Sequence, residues 1–193
     1  MLFRSELFKA RPQTAGLVSP IVELRIADLD GAPLPAGEAG EIWLRGVTVM
    51  DGYWQQAEAT AQAMRRGWFR TGDVGVIDAD GLLRVVDRIK DVINRSGEKI
   101  AAAEVESCLL QHPQLIEAAV FSQPDDLTGE AVVAVVVAAA GARLDADEVR
   151  AHVAARLAAY KVPVRVHLRR EPLPRNPAGK LLKSALKREF SAS

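Results

Sequence analysis

An α+β fold is the expectation for this 193-residue chain, and three features of the sequence carry it. Short alternating runs of apolar and polar residues crowd its first part, as in a β-rich unit. Helical and strand-like patterns take turns beyond Asp91, as in a mixed unit with a central sheet flanked by helices. The longest apolar run, residues 131–142 between Glu130 and Arg143, is rich in valine and too short to cross a bilayer, so it reads as a strand buried on both faces. With 49% hydrophobic and 26% charged residues, the composition is that of an ordinary globular chain with room for one domain or two small ones.

The elements follow in order. Val22-Glu23-Leu24-Arg25-Ile26 and Glu41-Ile42-Trp43-Leu44 alternate and flank a loop rich in proline and glycine, so both read as strands. Residues 58–65 can form a short helix, and residues 74–77 pair with residues 82–86 across Asp78-Ala79-Asp80-Gly81. The pattern changes over Asp87-Arg88-Ile89-Lys90-Asp91, which marks a boundary between units. Beyond it come a helix over residues 102–111 and strands over residues 116–121 and 131–138. A second helix starts at Asp145, with Glu148 three residues on as a capping box and Val149, Val153 and Leu157 on its apolar face. A strand over residues 164–168 leads to Pro174-Arg175-Asn176-Pro177-Ala178-Gly179-Lys180, whose prolines and glycine keep it a loop. From residue 181 to 190 the pattern is helical, with Leu182, Leu186 and Phe190 on one face.

Several function classes are disfavoured by charge and composition. Lysine plus arginine equals aspartate plus glutamate, 25 against 25, so the overall field has no pull toward nucleic acid or anionic lipid. The basic clusters Arg165, His167, Arg169, Arg170 and Lys180, Lys183, Lys187 lack interleaved aromatics, so no nucleic-acid partner is expected. The single cysteine, Cys108, excludes an internal disulfide and a cysteine metal cluster, and reads as a buried structural thiol in a reducing compartment. Met1-Leu2-Phe3-Arg4-Ser5-Glu6 carries charge within its only apolar stretch and is not a secretory signal. A cytoplasmic protein with no integral membrane segment is therefore expected.

Five residues are candidates for chemistry, each with an ordinary alternative. Asp73, in Gly67-Trp68-Phe69-Arg70-Thr71-Gly72-Asp73, can accept hydrogen bonds from two ribose hydroxyls, or bind its own backbone in a turn. Arg88 offers a planar donor that suits ribose and phosphate oxygens, or a surface ion pair. Lys90 lies where a rotation between units would be absorbed, or in a static linker. Gly97, in Ser96-Gly97-Glu98-Lys99-Ile100, lets a backbone approach a slender ligand, or is a plain turn glycine. Lys180 sits at the mouth of a helix on a mobile tether, where it can meet negative charge developing in a cleft or remain solvated.

The order of these segments, GWFRTGD, then DRIKDVINRSGEKIAAAEVE, then PRNPAGKLLK, resembles the adenylate-forming superfamily of acyl-CoA synthetases, adenylation domains and luciferases, and bacterial acyl-CoA ligases most of all. Gly37-Glu38-Ala39-Gly40-Glu41-Ile42 and Asp51-Gly52-Tyr53-Trp54 resemble segments that precede the aspartate motif in that family, so the likeness covers nearly the whole chain. It implies a two-step reaction: a carboxylic acid and ATP give an acyl-adenylate and pyrophosphate, and coenzyme A then displaces AMP to give a thioester. By resemblance Asp73 holds the ribose hydroxyls and Arg88 supports the nucleotide. Lys180 binds the carboxylate and α-phosphate region, Lys90 is the hinge, and Gly97 lies beside the pantetheine path. The implied division is residues 1–87 as the distal β-rich part of the large AMP-binding domain, residues 88–91 as hinge, and residues 92–193 as the small C-terminal domain.

Two departures from the family pattern matter. Position 94 is asparagine where several relatives carry a lysine that acts in the second step, so Asn94 takes no catalytic role. The chain also contains no Ser/Thr/Gly-rich phosphate loop, and most of the acyl pocket and the acidic group that helps bind Mg2+ would lie upstream of Met1. The expectation is thus the distal part of an acyl-CoA ligase, inactive alone, with no metal site of its own. An apolar face left where the large domain would pack favours self-association. The competing readings are the distal part of a peptide-synthetase adenylation domain and a non-catalytic binding module. No carrier segment follows Phe190, which counts against the first.

Overall fold

The computed structural model describes residues 9–190 and divides into two compact units, Met1–Lys90 and Asp91–Ser193. The first carries an antiparallel sheet of six strands: β1 (Gly16–Leu17), β2 (Val22–Ala27), β3 (Gly40–Gly46), β4 (Met64–Arg65), β5 (Trp68–Ile77) and β6 (Leu82–Arg88). Their order is β1-β6-β5-β3-β2, with β4 added to β5. Before β4 comes a seven-residue helix, α1 (Ala57–Ala63). It stops short of the expected residue 65 because Met64 and Arg65 pair with Phe69 and Trp68 across a two-residue turn, where Arg66 and Gly67 have φ of 52° and 77°. Cross-strand pairing there outweighs helix propensity.

The core of this sheet is thin: among the described residues Ile26, Ala27, Ile42, Trp43 and Leu82 are its buried apolar side chains. Trp43 is buried on β3, and the Arg25 guanidinium lies 4.7 Å from its ring centroid. Arg25 also covers Trp68 at 4.1 Å, and Arg45 approaches the same ring at 4.7 Å. Stacked guanidinium groups thus shield indoles that a small sheet cannot bury by itself.

The second unit is built around a strand covered on both faces. A 3-10 turn (Ile89–Asp91) leads into β7 (Val92–Arg95) and β8 (Glu98–Ala101), then α2 (Ala102–Leu109), β9 (Leu115–Asp125), β10 (Gly129–Ala138), α3 (Ala146–Ala154), β11 (Arg165–Arg169) and α4 (Lys183–Phe190). β9 pairs antiparallel along β10, and β11 runs parallel on the opposite edge, as a strand reached through a helical crossover does. Side chains alternate across β10. Val132, Ala134 and Val136 join Val105 and Leu109 of α2 and Val149 and Val153 of α3, whereas Val133, Val135 and Val137 join Phe121, Leu173 and Leu186 of α4. Burial on both faces explains why this strand reads as a continuous apolar run.

The capping box at α3 is present: the Glu148 N–H donates to Asp145 Oδ1 at 2.8 Å and the Asp145 N–H donates to Glu148 Oε2 at 3.1 Å. Cys108 is buried in α2, where burial pushes its thiol up and makes it a poor thiolate. Leu186 is the fully buried anchor of α4. Leu186→Ala is expected to cost about 2–5 kcal/mol in denaturant unfolding, the range for deleting a buried leucine side chain.

Candidate functional site

In the first unit, Asp73 and Arg88 are direct register partners on β5 and β6, and Arg88 Nε meets Asp73 Oδ1 at 3.2 Å. Asp73 is therefore on a strand, and its carboxylate faces a guanidinium rather than closing a turn. An ion pair with both side chains this accessible, 46% and 32% exposed, contributes at most about 1 kcal/mol of stability. Its larger effect is to orient the carboxylate, whose two oxygens together accept up to about four hydrogen bonds and so have capacity for a pair of neighbouring hydroxyls.

The segment before Asp73 is pinned from below. The Thr71 hydroxyl donates to the Ile42 carbonyl at 2.8 Å and accepts the Asp73 N–H at 3.1 Å. Glu41, buried on β3, accepts the Gly72 N–H at 3.2 Å, the Trp43 indole N–H at 2.9 Å and Arg70 Nε at 3.0 Å. One carboxylate thus locks three groups of neighbouring strands together immediately before Asp73. Reasoning from sequence did not assign Glu41 this task, although period-two alternation puts Glu41 and Trp43 on one face. Arg88 is fixed in turn by its own N–H, which donates to Asp87 Oδ1 at 2.7 Å.

Lys90 is exposed in the 3-10 turn at the division between the units. Gly97 is the second residue of the two-residue turn joining β7 to β8, where Ser96 and Gly97 have φ of 53° and 88°. These left-handed values suit the tight turn of a hairpin, and a Cβ built on Gly97 would meet nothing within 4 Å. The turn is tied to the β9–β10 connection by the Ser96 N–H, which donates to the Thr128 carbonyl at 2.8 Å. Asn94 sits on β7, where its N–H donates to Glu130 Oε2 at 2.6 Å.

Lys180 is exposed on a loop that is closed, not loose as the prolines and glycine suggested. Its N–H donates to Asn176 Oδ1 at 2.8 Å, its carbonyl accepts the Asn176 N–H at 2.9 Å, and the Gly179 N–H donates to the Asn176 carbonyl at 2.9 Å. Gly179 has φ of 81°, the left-handed value that this tight return requires. Among the described residues no carboxylate lies within ion-pair distance of the Lys180 ammonium, while Lys183 one helical turn later pairs with Glu106 at 2.8 Å. Asp73 and Arg88 belong to the first unit, Gly97 and Lys180 to the second, and Asp73 with Arg88 is the pair that the structure joins directly.

Known proteins match this arrangement along most of its length. Residues 3–54 fit the model of the AMP-binding enzyme family, and residues 104–180 fit the model of the AMP-binding enzyme C-terminal domain. A feruloyl-CoA synthase of an Amycolatopsis species is 46% identical over 177 residues, which are 92% of this chain and 36% of that protein. The amide bond synthetase of Marinactinospora thermotolerans superposes with a TM-score of 0.84 at 42% identity, covering 96% of this chain and 37% of that one. The o-succinylbenzoate CoA synthetase of Bacillus subtilis, solved with an acyl-adenylate intermediate, gives 0.85 at 36% identity over 94% of this chain and 37% of its own. The chain spans about a third of the length of the relatives it matches. Sequence, both family models and fold agree that this chain belongs to the adenylate-forming family of AMP-binding enzymes.

Proposed function

We propose that this chain supplies the distal third of an ATP-dependent acyl-CoA ligase, which converts a carboxylic acid, ATP and coenzyme A into acyl-CoA, AMP and pyrophosphate. The observation that carries the reading is Lys180: an exposed ammonium with no described carboxylate partner, on a loop held by Asn176, in a chain 46% identical to a feruloyl-CoA synthase. In the first step a carboxylate oxygen bonds to the α-phosphorus of ATP and the bond to pyrophosphate breaks. Lys180 stabilises the negative charge that gathers on the oxygens, and preorganised charge of this kind is worth most where water is excluded. Asp73 accepts from the ribose hydroxyls and Arg88 holds Asp73 while facing the nucleotide. In the second step the thiol sulfur of coenzyme A bonds to the acyl carbon, the thiol proton is lost, and AMP leaves. Lys90 is the hinge between the two arrangements, and the open space over Gly97 admits the pantetheine arm.

Among the described residues no group of three or more His, Cys, Asp or Glu side chains is arranged to hold a metal ion. No step here is routed through a metal ion. No described helix is long and apolar enough to cross a membrane, and the lone buried cysteine supports a reducing, cytoplasmic setting. Leu29, Val47 and Trp54 of the first unit are exposed, but Leu29 and Val47 follow opposite ends of the paired strands β2 and β3 and so do not make one apolar patch.

Alone, the chain is expected to form no thioester from ATP, coenzyme A and a panel of aromatic and aliphatic acids, because it carries no phosphate-binding loop. Turnover equal to that of a full-length relative would overturn the reading. Grafted in place of the matching segment of the Bacillus subtilis enzyme, the same 193 residues are expected to support both steps. An amine belongs beside coenzyme A among the acceptors assayed, since one structural relative is an amide bond synthetase.

A further inference from the structure

The loop that presents Lys180 is a miniature hairpin, and what holds it is a second cation. Arg175 stands opposite Leu181 in an isolated bridge, and the Leu182 N–H donates to the Pro174 carbonyl at 2.8 Å. The Arg175 guanidinium then spans from the loop to the sheet: Nη1 donates to the Gly179 carbonyl at 3.0 Å, and Nη2 donates to Glu117 Oε2 on β9 at 2.7 Å. The Glu117 side chain is only 19% exposed, so its carboxylate is a fixed post. Beyond the loop, Lys183 pairs with Glu106, whose Oε1 also accepts the Val120 N–H of β9 at 2.7 Å. Both ends of the loop are thereby referred to one strand, on either side of Lys180.

We propose that Arg175 is a positioning residue, which with Glu117 fixes the carbonyl next to Lys180 and so sets where the ammonium stands during adenylation. A planar guanidinium serves two acceptors in different directions at once, whereas a lysine ammonium on a flexible stem is a single point charge. The pair is half exposed on the arginine side, so its contribution to global stability is small. Its effect is concentrated on the peptide between Gly179 and Lys180, where a displacement of about 1 Å can lower a rate by about 10²-fold. The catalytic consequence rests on the ligase reading above, but the holding of the loop does not.

The test uses the full chain for loop order and the graft for catalysis. Amide hydrogen exchange at Gly179 and Lys180 is expected to rise about tenfold in Arg175→Ala, with Arg175→Lys and Glu117→Gln between it and the unsubstituted chain, and with β10 amides unchanged. Unchanged exchange at those two amides, or an equal rise across β10, would overturn the proposal. In the graft, Arg175→Ala is expected to lower kcat for adenylation about tenfold at nearly constant KM for ATP, while thioester formation from a preformed acyl-adenylate is retained. Equal loss in both half reactions would overturn the positioning role. An unsubstituted graft that adenylates no acid contradicts the ligase reading alone, and hydrogen exchange then still decides on Arg175.

Discussion

Lys180→Ala, made in the graft, is expected to lower acyl-adenylate formation by about 10²- to 10³-fold, the usual loss when one preorganised charge-stabilising group is removed. The second step, started from a preformed acyl-adenylate and coenzyme A, is expected to stay within about threefold, because Lys180 is assigned to charge that develops only during adenylation. Lys180 can be tested cleanly because its side chain is exposed and makes no ion pair with the described carboxylates. Its truncation removes a charge without opening a cavity or stranding a buried partner. Pyrophosphate release and thioester formation, measured separately, check the split. Equal losses in the two steps would mean that residue 180 matters to the fold of its loop rather than to adenylation.

Gly97→Leu is expected to produce the reverse pattern. The turn needs φ of 88° at this position, and a leucine held at left-handed angles costs roughly 1–2 kcal/mol. The new side chain would enter the open space above the turn, where no protein atom lies within 4 Å of a Cβ. Thioester formation is expected to fall about 10²-fold, as the pantetheine arm is displaced from its line of approach, with adenylation within about threefold of the unsubstituted graft. Loss of adenylation to the same extent would assign Gly97 to folding alone. The opposite signatures of Lys180→Ala and Gly97→Leu separate the two half reactions, which a general loss of stability cannot do.

Local chemistry made much of the fold legible. Asp145 and Glu148 announce the start of α3 because a capping box is contained within four consecutive residues, and β10 announces its double burial because both of its faces must be apolar. Elements defined by pairing at a distance were harder to read. Residues 92–101 form a hairpin that apolar alternation does not announce, since polar Asn94, Arg95, Glu98 and Lys99 lie between buried Ile93 and Ile100. Residues 64 and 65 read as helix until Trp68 and Phe69 claim them as a strand.

The candidate site divides in the same way. Asp73, Arg88, Gly97 and Lys180 stand out through residue type and order along the chain. Glu41 and Arg175 do not, because their meaning lies in partners: Glu41 reaches Arg70 and Gly72, which are 29 and 31 residues away, and Arg175 reaches Glu117, which is 58 residues away. A loop with two prolines and a glycine reads as loose until those contacts are known. Its order comes from Asn176 within the loop and from Glu117, which sequence proximity cannot connect to it.

The most direct measurement is thioester formation by the graft, with ATP, coenzyme A and o-succinylbenzoate, beside the same assay on the chain alone. The expected result is acyl-CoA from the graft and none from the isolated chain, with AMP and pyrophosphate released in equal amounts. A folded graft that makes no thioester, or an isolated chain that makes it at a comparable rate, would contradict the assignment of these residues to the distal third of an acyl-CoA ligase.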